Sequence, residues 1–140
     1  MKITDVEIFV VDGGRRPWLF SAVRTDAGIT GYGEFGTGVA AHALVGLIED
    51  FKPHVIGKDP EAVEKLYFDL YRLMRQAPGG LVNMGIAAIE LACWDIKGKA
   101  MGVPVNNLLG GPYRDKQRVY WSHLASARAG DPTLAPDKPL

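Results

Sequence analysis

Few residues in this 140-residue sequence have the type and spacing for chemistry. Arg15 and Arg16 stand together in a glycine-containing break, Gly13-Gly14-Arg15-Arg16-Pro17-Trp18. A guanidinium presents a fixed fork of donors that suits carboxylates; the same pair also reads as an ordinary solvated turn. Lys97-Gly98-Lys99 places two amines close together, but inside a helical pattern. Lys99 follows Asp95 by four residues there, an ion-pair spacing worth a few tenths of a kcal/mol. Cys93 is the single cysteine, so no intramolecular disulfide can form. It falls on an apolar helical stripe and reads as a small core residue, since a reactive thiolate needs a polar, partly exposed setting. His42 and His54 lie too far apart for a helical metal pair. Gly31, Gly33 and Gly36 spell a dinucleotide-loop pattern without the strand–turn–helix unit and following acid that would give it meaning.

The elements that must position these residues follow from periodicity. Ile3 to Val11, Trp18 to Arg24 and Ile29 to Phe35 read as strands, the last two joined by the turn Asp26-Ala27-Gly28. Helical spacing then takes over. Leu44, Ile48, Phe51 and Val55 predict a helix over Ala40 to Ile56, kinked or ended by Pro53. Asp59-Pro60-Glu61 predicts the start of a second helix, with Asp59 as its N-cap. Val63, Leu66, Tyr67, Leu70, Tyr71 and Met74 form its apolar face. A third helix over Val82 to Met101 ends at Gly102, and Pro104 follows. It carries two apolar stripes: Ile86, Ile89, Cys93, Ile96 and Ala100, and opposite them Ala87, Leu91, Trp94, Gly98 and Met101. A helix apolar on two sides asks for cover on both. Asn106 to Pro112 reads as a turn-rich connector and Arg118 to Trp121 as a short strand. The stretch from Ala125 to Leu140 is expected to be disordered.

Composition bounds the function. Sixteen basic and sixteen acidic residues cancel, hydrophobic residues make up 47% and charged residues 23%. These values suit a globular domain and exclude the basic footprint of a nucleic-acid binder. The apolar run Ile8 to Val11 is too short for a secretory signal, and no stretch nears the roughly 20 residues of a membrane span. The expected setting is soluble and cytoplasmic. The fold class is α+β, a three-stranded antiparallel meander followed by helices. A β/α barrel of about 250 residues does not fit in this length.

Several motifs in order carry a resemblance. Met1-Lys2-Ile3-Thr4-Asp5-Val6, Thr25 to Glu34, Ile56-Gly57-Lys58-Asp59-Pro60, Ile89-Glu90-Leu91-Ala92-Cys93-Trp94-Asp95-Ile96-Lys97-Gly98-Lys99, Pro104-Val105 and Leu108-Leu109-Gly110-Gly111 resemble the N-terminal domain of the mandelate racemase and muconate lactonizing enzymes of the enolase superfamily. Gly85 and Cys93 depart from that signature, where alanine or leucine is usual. The resemblance implies a capping domain over 1–112 and a linker with the first barrel strand over 113–124, before the tail at 125–140.

The resemblance also implies a chemistry held elsewhere. In that family a barrel domain binds Mg²⁺ and abstracts a proton α to a carboxylate, with sugar-acid dehydration or racemisation as common outcomes. It further implies that two cap segments close over the barrel mouth. By position these supply Arg15, Arg16, Trp18, Phe35 and Thr37 as substrate-capping residues, with Glu34 nearby. The Lys-x-Lys form of Lys97 and Lys99 matches the family's catalytic pair in letters only, because that pair sits on a barrel strand. Ser122 and His123 end the expected barrel strand, where such enzymes place active residues, yet without further strands no site assembles. The sequence thus predicts a truncated chain with no catalytic residue, no metal ligand and no cofactor of its own. Its expected partners are a barrel domain, a small acid substrate and a second copy in a homo-oligomer. The alternative is a stand-alone module that oligomerises or pairs with a barrel.

Overall fold

Alternation of apolar and polar residues sends one face of each strand toward a helical layer. A computed structural model describes residues 1–13, 17–37, 40–76 and 79–120. The strands are β1 (Ile3–Asp12), β2 (Pro17–Thr25) and β3 (Thr30–Thr37), and the helices are α1 (Ala41–Val55), α2 (Val63–Leu73), α3 (Gly80–Met101) and α4 (Val105–Leu108). The sheet is antiparallel and open, in the order β1-β2-β3. Val6 pairs with Val23 and Val23 with Gly31, so these three share the helix-facing side. The expected meander followed by helices is the observed architecture.

The core lies between that side and the helices. Val6, Leu19 and Val23 from the sheet meet Leu44, Ile48 and Phe51 from α1 and Ile86, Ile89 and Ile96 from α3, all essentially buried. Removing a side chain of this size from water is worth about 1.5–3 kcal/mol. Val63, Leu66 and Leu70 of α2 close the cluster from the side. Ser21 is the buried polar residue of the sheet centre. Its hydroxyl donates toward the carbonyl oxygens of Ala88 at 2.5 Å and Gly33 at 3.3 Å, which ties β2, β3 and α3 together.

Several local expectations are corrected. α1 runs through Pro53 to Val55. Asp59 does not cap α2: its carboxylate accepts the Glu61 N–H at 3.1 Å and its carbonyl the Ala62 N–H, closing a turn around buried Pro60. The helix therefore starts three residues later, with Ala62 as its N-cap. The connector after Pro104 contains the one-turn helix α4. Arg118 to Tyr120 is not a strand; no strand among the described residues lies beside it, and Val119 and Tyr120 are exposed. Trp121, Ser122, His123 and the tail from Ala125 lie outside the described residues.

Candidate functional site

The register brings the strand ends that flank the two expected lid segments to one end of the sheet. Asp12 pairs with Pro17 at that end. Val11, Trp18 and Thr37 then stand side by side on β1, β2 and β3. The end of β3 thus lies beside the start of β2. Trp18 is 44% exposed and stacks on Phe20 with centroids 6.4 Å apart. Phe9 and Val11 extend the same outer face, so this end of the sheet shows an apolar surface. Arg15 and Arg16 lie outside the described residues.

Phe35 takes a different place from the one its lid position suggests. It is 7% exposed and belongs to the core cluster. Period two turns Phe35 toward the helices, and the β-bulge opposite Leu19 and Phe20 turns Gly36 the same way. A Cβ on Gly36 would meet Met84, Leu44 and Leu19. Phe35 accordingly anchors the end of β3 instead of offering a free ring.

A shallow depression of about 580 Å³ opens between this end of β3 and α3, lined by Glu34, Phe35, Gly36, Asn83, Met84, Ala87 and Leu91. Glu34 is exposed at its rim, and Leu91 is 45% exposed. Ala87 and Leu91 come from the second apolar stripe of α3. That stripe is covered only in part: Gly98 is buried against the Val103 carbonyl, whereas Met101 is exposed. Asn83 and Met84 carry no sequence signal of their own. The helical pattern places them one turn before Ala87, which is the only way they could have been found.

The remaining candidates resolve into structural roles. Lys99 pairs with Asp95 at 2.6 Å, as its spacing predicts, and also donates to the Thr30 carbonyl at 2.8 Å. Asp95 in turn accepts the Tyr32 N–H at 2.9 Å. Lys97 donates to the Glu61 carbonyl at 3.2 Å and lies over Trp94. Both lysines therefore fasten α3 to its neighbours. Cys93 is buried in the core, and its thiol is pushed up to about 12, chiefly by burial and further by Glu90 and Asp59. Such a group is protonated and unreactive near neutral pH. His42 and His54 are exposed on α1. Among the described residues no three His, Cys, Asp or Glu side chains converge to hold a metal ion. They do not supply a Mg²⁺ ligand set. Among them, too, no helix is long and apolar enough to cross a membrane.

A model of the mandelate racemase / muconate lactonizing enzyme N-terminal domain matches residues 8–110. The chain belongs to that family. Within the mandelate racemase and muconate lactonizing family, D-galactonate dehydratase of Xanthomonas axonopodis pv. citri is 44% identical over 103 residues. That match takes in 74% of this chain and 27% of the relative. D-galactonate dehydratase of Variovorax paradoxus is 40% identical over 120 residues, or 86% of this chain and 31% of the relative. The chain thus spans less than a third of these curated relatives. A solved enolase-superfamily member from Salmonella Typhimurium superposes with a TM-score of 0.80 at 38% identity, covering 85% of this chain and 32% of the other. A proposed L-alanine-DL-glutamate epimerase from Burkholderia xenovorans, bound to magnesium and fumarate, gives a TM-score of 0.86 at 38% identity. It covers 91% of this chain and 32% of the other. Relatives with dehydratase and epimerase names share this one domain, so the fold does not choose the reaction.

Proposed function

We propose that this chain is the capping and specificity domain of a Mg²⁺-dependent enolase-superfamily enzyme acting on a sugar acid, and that it is catalytically silent alone. The observation that supports the reading is the side-by-side placement of Val11, Trp18 and Thr37, which brings the end of β1, the start of β2 and the end of β3 together. Two adjacent segments at one end of a rigid sheet suit a lid. In this role Arg15 and Arg16 grip the substrate carboxylate by their donor forks. Trp18 and Thr37 shape the wall, the indole helping to exclude water, and Phe35 holds that wall in place from the core. The proton abstraction itself belongs to a barrel domain, where Mg²⁺ stabilises the enediolate when bound. Dehydration is favoured over racemisation by the D-galactonate dehydratase relatives. A cytoplasmic setting fits this metabolism.

The test is complementation. The purified chain is mixed with the portion of the Xanthomonas axonopodis D-galactonate dehydratase that it does not match, and D-galactonate turnover is followed with Mg²⁺. Turnover by the mixture, absent from either part alone, supports the reading. Turnover by the chain alone refutes it, as does a mixture that neither associates nor turns over.

A second reading, a self-associating module, draws on the exposed Phe9, Val11 and Trp18 surface. Sedimentation of the chain alone separates the two: a tight oligomer favours the module, a monomer the cap.

A further inference from the structure

β1 is an edge strand, since the sheet runs in the order β1-β2-β3. The first part of its outer edge is closed. Ile3 gives its N–H to the Lys58 carbonyl at 2.9 Å and accepts the Gly57 N–H at 2.8 Å. Val6 gives its N–H to the Asp5 carboxylate at 2.9 Å. The ladder tells which groups the rest of the edge offers. Tyr32 gives its N–H to Asp95, so its backbone groups turn away from β2. In an antiparallel sheet this direction alternates with period two along each strand. Ala22, opposite Tyr32, therefore turns toward β1, and Glu7, opposite Ala22, turns back toward it. Ile8 and Val10 then turn outward, because the β1–β2 register is unbroken from Asp5 to Asp12. Among the described residues no hydrogen bond outside that ladder reaches either of them. The run Ile8-Phe9-Val10-Val11 carries no charge, and neither a proline nor a bulge interrupts it. Those are the devices that keep an edge from pairing. Val10 is 54% exposed although it shares the helix-facing side with Leu19, so the helices leave this stretch uncovered.

We propose that this edge receives β1 of a second copy, antiparallel, about a two-fold axis through Phe9. The occupant follows from self-complementarity. Around that axis Ile8 stands opposite Val10 of the second copy, and Val10 opposite its Ile8. Both members of each pair turn outward, so each pair exchanges both of its backbone bonds. Phe9 meets its counterpart in the non-hydrogen-bonded position, where side chains come closest. Phe9 also stands opposite Phe20, so the aromatic pairs of the two copies form one row on the outer face. Charge selects the same register. Glu7 falls opposite Val11 and Asp12 opposite Val6, so no acids face one another. A one-residue slip sets Glu7 against Asp12 and turns one sheet over. A single strand pair is a small interface, in the weak and transient class below about 1,200 Å². The pairing goes beyond the capping reading and does not depend on it. It also differs from the self-associating module, since it uses the strand edge and not the face that carries Trp18.

The test is sedimentation of the full 140-residue chain from about 10 μM to about 1 mM, the range of weak complexes. A monomer–dimer equilibrium is expected, with the dimer prevailing at the top of that range. Amide exchange on the same samples should slow by about fivefold at Ile8 and Val10, and little at Phe9, whose N–H already faces β2. Val10→Pro removes an outward N–H and spares the bonds to β2, as proline does on an edge strand; it should hold the chain as a monomer. If that variant loses its circular dichroism, Val10→Lys puts a charge on the edge instead and should do the same. Phe9→Cys sets a thiol on the axis beside its counterpart, whereas Val11→Cys leaves the two thiols several residues apart. Cys93 is buried and does not compete. Under a mild oxidant Phe9→Cys should cross-link at least about tenfold faster than Val11→Cys, because only the first pair lies within disulfide reach. A chain that stays a monomer throughout, or a dimer that both Val10 variants leave intact, overturns the proposal. So does equal cross-linking of Phe9→Cys and Val11→Cys. Loss of the dimer in Trp18→Ser but not in Val10→Pro assigns association to the outer face and overturns edge pairing as well. Each of these outcomes leaves the capping reading standing, because complementation is read separately. Failed complementation beside a Val10-dependent dimer does the reverse.

Discussion

A Cβ built on Gly31 would lie 2.0 Å from the carbonyl oxygen of Ala92. β3 and α3 therefore touch backbone to backbone, and the nearest obstacle is a carbonyl that cannot turn aside, with the Ile96 side chain next at 2.7 Å. Gly31→Ala is expected to cost about 3 kcal/mol or more, at the upper end of overpacking effects. Gly85 is the contrasting case. A Cβ there meets the Leu47 side chain, nearest at 2.8 Å, and that side chain can turn aside. Alanine also favours a helix over glycine by about 1 kcal/mol, so Gly85→Ala should stay within about 1 kcal/mol of the parent. Urea unfolding of both variants checks the order; equal midpoints would refute the backbone contact.

That contact explains what the sequence could and could not reveal. The strands and helices were legible because Val6, Leu19 and Val23 alternate and Leu44, Ile48, Phe51 and Val55 recur at helical spacing. The purpose of Gly31 and Gly33 was not, because local pattern does not say which helix comes to lie on a strand. The same limit hid the bulge that turns both Phe35 and Gly36 inward, and with it the burial of Phe35. Asp59 misled for a local reason: it has the chemistry of a cap but spends it on the Glu61 amide of the preceding turn. Asn83 and Met84 became visible only when α3 was set beside β3. The pairing of Trp18 with Thr37 was equally hidden, because without the register shift between Leu19 and Phe20 Trp18 would face Gly36.

Asp95 holds the start of β3 against α3 with one oxygen that accepts from both Tyr32 N–H and Lys99 Nζ. The two bonds separate by substitution. Asp95→Asn retains an acceptor for Tyr32 and loses the ionic part of the Lys99 bond. Asp95→Ala loses both, with an expected cost of about 1 kcal/mol because Tyr32 can turn to water. Amide exchange at Tyr32 should quicken markedly in Asp95→Ala and little in Asp95→Asn. Equal exchange in both variants would remove the carboxylate from its place as a strand-edge partner.

Lys52 on α1 pairs with Asp5 on β1 at 2.6 Å and holds its carboxyl below the usual value, chiefly through the hydrogen bond. A depressed carboxylate contributes stability that is present above its unfolded value, 3.8, and lost as pH falls through the folded one. Both side chains are substantially exposed, so solvent screening limits the pair to about 0.5 kcal/mol. Asp5→Asn should therefore lower stability by about that amount at pH 6 and match the parent at pH 2. A deficit that persists undiminished at pH 2 would assign the cost to packing instead of charge.

Cys93 gives the opposite slope at alkaline pH. Burial raises its thiol from 9.0 to about 12, so the unfolded chain releases this proton first. Stability linked to Cys93 is complete below the unfolded value and falls as pH rises from 9 toward 12. The decline is on the order of 1 kcal/mol per pH unit while the unfolded state alone is ionised. Tyrosines and lysines also titrate in that range, so the informative quantity is the difference between parent and Cys93→Ala. The variant loses some core contact at every pH, which shifts its curve without tilting it. Its stability should decline less steeply above pH 9, closing on the parent as pH rises. A thiol reagent at pH 8 should likewise react with the native chain only at the rate of opening or unfolding. Rapid modification of the native chain, or parallel alkaline slopes in parent and variant, would take Cys93 out of the protonated core and make its thiol an accessible group.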